Sequence, residues 1–114
     1  KGEKLRFYVL ILANELKPFL EYQKKVIERE FPYSLEKAGC EIERLTIGEK
    51  YMELVFLIPV RADIKQALDK VINECNQYGN FLSQVFTIPN VKELSAEEVE
   101  EIIKKNGGNS QASH

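Results

Sequence analysis

Phe7-Tyr-Val-Leu-Ile-Leu-Ala13 is apolar at every position and rich in β-formers, which predicts a strand buried on both faces at the centre of a sheet. Tyr51 to Ile58 is a second such run, and Pro59 ends it by withholding a ladder donor. Its even positions, Met52, Leu54, Phe56 and Ile58, form an apolar face, while Tyr51, Glu53, Val55 and Leu57 form a mixed one. The even face is therefore expected against helices. Cys40 to Ile47 alternates imperfectly, with Ile42, Leu45 and Ile47 among charges, as an edge strand does, and Gly48-Glu49-Lys50 turns the chain back into Tyr51. Phe81 to Ile88 predicts a fourth strand, with Leu82, Phe86 and Ile88 on one side and Pro89-Asn90 at its end.

Helical spacing fills the gaps. Pro18 is placed to open a first helix, since its missing N–H would be unpaired there anyway, and Leu20, Val26 and Ile27 begin its stripe. Phe31-Pro32 is expected to interrupt it after Glu30, with one more turn over Tyr33 to Lys37 before Gly39. Asp63 and Gln66 have the form of a capping box ahead of Ile64, Leu68, Val71, Ile72 and Cys75, in a second helix ending near Tyr78-Gly79. Ser95 and Glu98 make another such box, with Leu94 and Val99 at the staple positions. Glu97, Glu98, Glu100 and Glu101 at the start of that third helix and Lys104-Lys105 near its end suit the macrodipole, and Gly107 is expected to close it.

The order β-α-β-β-α-β-α is an α+β, ferredoxin-like arrangement with an additional C-terminal helix, in which the first and third strands are central. Residues 1–106 are read as one domain and 107–114 as a disordered tail. Helices one and two cover one sheet face. The other needs the C-terminal helix, through Val99, Ile102 and Ile103, or a second copy of the chain. A homodimer is thus expected, and Ile102 and Ile103 are expected to be buried, so that Ile102→Lys destabilises by roughly a few kcal/mol.

A chain of 114 residues leaves no room for a second domain, and the balance of 44% hydrophobic to 30% charged residues excludes disordered and membrane-spanning classes. No apolar run approaches the ~20 residues needed to cross a bilayer, and no small-residue cleavage site follows the first strand, so a cytoplasmic protein without membrane contact is expected. Cys40 and Cys75 fit no metal-ligand spacing and read as buried, reduced thiols. No glycine-rich phosphate loop, nucleophile elbow or cofactor motif is present. A net charge of −2 lacks the basic footprint of a general nucleic-acid binder, so any DNA contact needs a local patch. The cluster Lys24, Lys25 and Arg29 is the candidate for phosphate contacts, although Glu21, Glu28 and Glu30 beside it also suit helical ion pairs.

Over most of residues 7 to 106 the chain resembles the single-tyrosine HUH transposases, the insertion-sequence-200-like family that includes the REP-associated tyrosine transposases. The resemblance rests on the first strand with Leu16-Lys-Pro-Phe-Leu20, on Gly39-Cys-Glu-Ile-Glu-Arg-Leu45, on Leu54 to Pro59, and on Ala96-Glu-Glu-Val-Glu-Glu-Ile-Ile-Lys-Lys-Asn106. Family chemistry uses a His-apolar-His triplet, whose alternation sets two imidazoles on one strand face to hold a divalent metal. The resemblance places that triplet on Tyr51-Met52-Glu53, the nucleophilic tyrosine on Ile102 and a metal-binding glutamine on Asn106. The only histidine is His114. Lys70, on helix two, resembles the family's DNA-contacting helix lysine.

The resemblance thus implies a transposase-like protein that is not an enzyme: it has no catalytic residues at the family positions, holds no metal or cofactor, and keeps hairpin or single-stranded DNA binding. Glu53 could still ligate an oxygen-preferring cation beside Tyr51; the plainer alternative is a solvated or salt-bridged Glu53 and a packed Tyr51. A small dimeric regulatory or ligand-binding module is the alternative function, because the fold hosts many.

Overall fold

A computed structural model describes residues 2–87 and 93–112. Among them β1 (Lys4–Ala13), α1 (Glu21–Lys37), β2 (Glu41–Ile47), β3 (Tyr51–Pro59), α2 (Ile64–Asn76), β4 (Leu82–Thr87) and α3 (Ala96–Ala112) follow in order. The strands form one antiparallel sheet in the order β2-β3-β1-β4. The two runs without a wet side are central, β2 is an edge as its alternation predicts, and the arrangement is ferredoxin-like with an added helix.

Register decides which side chains meet. Tyr8 lies opposite Val55, Leu10 opposite Glu53, and Ile11 opposite Met52. Alternation then sends Val9, Ile11, Met52, Leu54, Phe56 and Ile58 into one core, closed by Val26, Ile27, Phe31 and Leu35 of α1 and Leu68, Val71, Ile72 and Cys75 of α2. The opposite face carries a smaller cluster of Tyr8, Leu10 and Val55 beneath Val99 of α3, with Leu12, Tyr51, Leu94, Ile102 and Ile103 at its margin. The C-terminal helix therefore covers this face. Its capping box is formed: Ser95 N–H donates to Glu98 Oε1 (2.8 Å) and Glu98 N–H to Ser95 Oγ (3.2 Å). Asp63 caps α2 by accepting from Gln66 N–H (3.2 Å).

Four expectations are corrected. The first helix opens at Glu21, not Pro18, because the backbone is still extended at Leu20 (φ −81°, ψ 162°), which serves as the N-cap. Phe19 N–H donates to Glu49 O (2.9 Å), which ties this extended strap to the turn between β2 and β3. Before it, Asn14–Leu16 makes a short 3-10 turn with Glu15 (φ 58°) and Leu16 (φ 55°) in the left-handed region. Second, Pro32 lies inside α1 without ending it. The missing N–H costs one helix bond, and Phe31 and Leu35, both fully buried, hold the flanking turns on the sheet.

Third, Ile102 and Ile103 are only half-buried, whereas Val99 is 3% exposed. Adjacent helix residues point ~100° apart, so a stripe centred on Val99 leaves each isoleucine with one wet side. Fourth, α3 does not close at Gly107 but continues to Ala112. A glycine inside a helix costs ~1 kcal/mol relative to alanine and does not force an end. Ile88, Pro89, Asn90 and His114 lie outside the described residues.

Cys40 and Cys75 are unpaired and buried. Desolvation raises the Cys40 thiol pKa and pushes that of Cys75 up to about 12. No helix among the described residues is long and apolar enough to cross a membrane.

Candidate functional site

The sheet face under α3 gathers Tyr51 and Glu53 of β3 with Ile102 of α3. Tyr51 is half-buried against the same small cluster as Ile102 and Ile103. Its ring lies over Gly48, where an added Cβ would come within 2.5 Å of the ring carbons, so the turn residue and the tyrosine position are coupled. Glu53 is half-buried and, among the described residues, pairs with no cation: Tyr8 Oη donates to its Oε2 at 2.6 Å. Burial, then the bond to Glu53, raises the pKa of the Tyr8 hydroxyl and keeps it a protonated donor. Asn106 is exposed and folds its amide back along its own helix, donating from Nδ2 to Ile102 O (2.8 Å).

This donor set does not fit the divalent metal that the family's chemistry uses. The Glu53 carboxylate is already bound by a phenol, Tyr51 packs under a helix, and Asn106 is exposed and bonded within its own helix, so these three side chains form no convergent set of oxygen ligands. Among the described residues no group of three or more His, Cys, Asp or Glu side chains is placed to hold a metal ion.

Nearer the β2 edge, the same face carries a charged network that no local motif announces. A register shift between Ile42 and Arg44 places an extra residue, Glu43, on β2. Arg6 donates through Nε to Glu43 (2.8 Å) and through Nη2 to Glu93 (3.2 Å), while Arg44 Nη1 donates to the other Glu93 oxygen (2.7 Å). Glu93, two residues before Ser95, thus fastens the start of α3 across β3. Its carboxyl is held below the usual carboxylate range, chiefly by the Arg44 hydrogen bond.

A depressed carboxyl pKa contributes stability above the unfolded value of about 4.3, and that contribution is lost as pH falls through the folded value. Glu93→Gln is expected to lower the urea midpoint near neutral pH, with the difference from the parent narrowing as pH falls below the usual carboxylate range. A pH-independent difference would mean that the amide disturbs packing rather than charge.

The structure separates the basic candidates from this face. Lys24, Lys25 and Arg29 lie on α1 and Lys70 on α2, in the helical layer across the sheet. Lys24 pairs with Glu21 (3.3 Å), Arg29 with Glu30 (3.0 Å) and Lys70 with Glu74 (3.0 Å). Lys25 is exposed. Sequence reasoning missed Arg6, Arg44 and Glu93, whose only signal was two arginines on strands that flank a shared neighbour.

No family model and no curated protein matches the sequence. Solved structures do share its fold. A putative transposase from Deinococcus radiodurans R1 superposes with a TM-score of 0.72 over 92% of each chain, at 12% identity. A REP-associated tyrosine transposase bound to a REP hairpin superposes with a TM-score of 0.64 at 10% identity, over 82% of this chain and 62% of that one. At these identities the likeness is one of fold, and in that sense the chain is built as these transposases are.

Proposed function

We propose that the protein is a catalytically inactive relative of such transposases that retains hairpin or single-stranded DNA binding. The observation that carries the reading is the transposase fold combined with a substituted reaction centre: Tyr51, Glu53 and Ile102 stand where the resemblance calls for two histidines and a tyrosine, and packing and internal hydrogen bonds use them. The solved REP-associated relative, described as bound to a hairpin, supports the choice of ligand class. Lys24, Lys25, Arg29 and Lys70 supply the phosphate contacts, and their partners Glu21, Glu30 and Glu74 exchange readily because exposed ion pairs are worth only ~0.2–1 kcal/mol. The protein acts as a homodimer in the cytoplasm. The half-buried Ile102 and Ile103 support the first point, and two unpaired, buried thiols suit the second.

Anisotropy of a labelled hairpin DNA, titrated with protein and Mg²⁺ or Mn²⁺ at two salt concentrations, tests the reading, with products resolved on a denaturing gel. Binding that weakens with salt and leaves no covalent protein–DNA adduct is expected. An adduct would show an active nucleophile and overturn inactivity. Absence of binding at low salt would leave the small dimeric regulatory or ligand-binding module.

A further inference from the structure

Every aromatic side chain among the large exposed apolar residues lies on or beside α1: Tyr22 (47% exposed), Tyr33 (62%) and Tyr78 (51%), the last in the turn after α2. Tyr22, Lys25, Arg29 and Tyr33 succeed one another at three- and four-residue steps, so they share one face of α1 over about 16 Å. Contacts join the group into one surface. Tyr22 Oη donates to Tyr78 O (3.0 Å), the Arg29 guanidinium lies 5.1 Å from the centre of the Tyr78 ring, and Lys37 Nζ lies 4.5 Å from that of Tyr33.

We propose that this face of α1 is a platform for single-stranded DNA, on which bases stack against Tyr33 and Tyr78 while Lys25 and Arg29 take the phosphates. The inference rests on the DNA-binding reading and names the part of the ligand that this surface recognises. Rings held half-exposed on a convex helix present π-faces that paired bases in a duplex cannot reach, whereas unpaired bases stack on any aromatic ring. The cations are spaced between the rings, as a sugar-phosphate backbone running beside its bases requires. Arg29 gives Nε to Glu30 and stacks on Tyr78, yet a guanidinium has five N–H donors and keeps others for phosphate. Glu21 and Glu28 lie on the flank of the stripe, and the net charge of −2 keeps binding to duplex backbone weak, which favours a stacked single strand over a purely electrostatic partner.

The chain has five tyrosines and no tryptophan, so its intrinsic emission reports tyrosine directly. Titration with a short oligothymidylate is expected to quench that emission, because Tyr8 is buried and Tyr51 half-buried while the three platform rings are open. Tyr33→Ala and Tyr78→Ala should each weaken binding by roughly 5- to 100-fold with an unchanged melting temperature. Tyr33→Phe and Tyr78→Phe, which keep the ring, should bind as the parent does. Lys25→Ala should reduce the salt slope by about one. Alanine variants that bind hairpin and oligothymidylate as tightly as the parent, or binding without quenching, would overturn the platform and leave the DNA-binding reading in place. A parent protein that binds neither ligand would overturn both.

Discussion

Val99→Lys is expected to release α3 from the sheet and to lower the unfolding free energy by about 3 kcal/mol. Val99 is 3% exposed and sits over Tyr8, Leu10 and Val55, the only fully enclosed part of the second cluster among the described residues. Removing its contacts forfeits about 1.5–3 kcal/mol of apolar burial, and an ammonium cannot remain there without a partner. Undocking lets the lysine reach water at the expense of exposing the sheet face, so urea melts should shift and α3 should become open to protease. Ile102→Lys should cost only about 1 kcal/mol, because a half-buried position lets the lysine stem lie on the cluster while its head stays wet. Equal losses for the two variants would return Ile102 to the core, and unchanged protease resistance would mean that α3 is held by Arg6, Arg44 and Glu93 instead.

Phe31→Ala is expected to cost about 3–5 kcal/mol, the range for removing a buried ring. Phe31 is fully buried between α1 and the sheet and directly precedes Pro32, whose missing N–H already weakens this turn of the helix. With the ring gone the cavity cannot close easily, since Met52, Leu54 and Phe56 stand on a strand paired on both sides. Chemical denaturation should show a lower midpoint with an unchanged slope. A loss below about 1 kcal/mol would mean that α1 collapses into the space, and that Leu35 and Ile27 alone hold it past the proline.

What the sequence revealed depended on how local the cause was. β1 and β3 were legible because a strand with apolar residues on both faces leaves little other placement, and α3 because Ser95, Glu98, Leu94 and Val99 lie within one turn of the helix start. The continuity of α1 was hidden because the Pro32 rule is local while the packing that overrides it comes from Phe31 and Leu35 meeting the sheet. The left-handed pair Glu15 and Leu16 contains no glycine to announce it. At the candidate site, alternation correctly put Tyr51 and Glu53 on one side, but the partner of Glu53 is Tyr8, 45 residues away. Arg6 and Arg44 stand 87 and 49 residues from Glu93, and only pairing with β3 brings them to that one carboxylate.

The two buried thiols make the protein its own opening clock. Only a thiolate attacks a disulfide reagent, and burial both disfavours the thiolate of Cys40 and Cys75 and shields the two side chains while their surroundings are closed. The rate at which each is modified in the folded protein therefore measures how often that place comes apart. Cys40 marks the entry to the edge strand β2, and Cys75 the last turn of α2. Their ratio reads whether the sheet edge frays ahead of the helical layer or the whole domain yields together, with no label added to the chain.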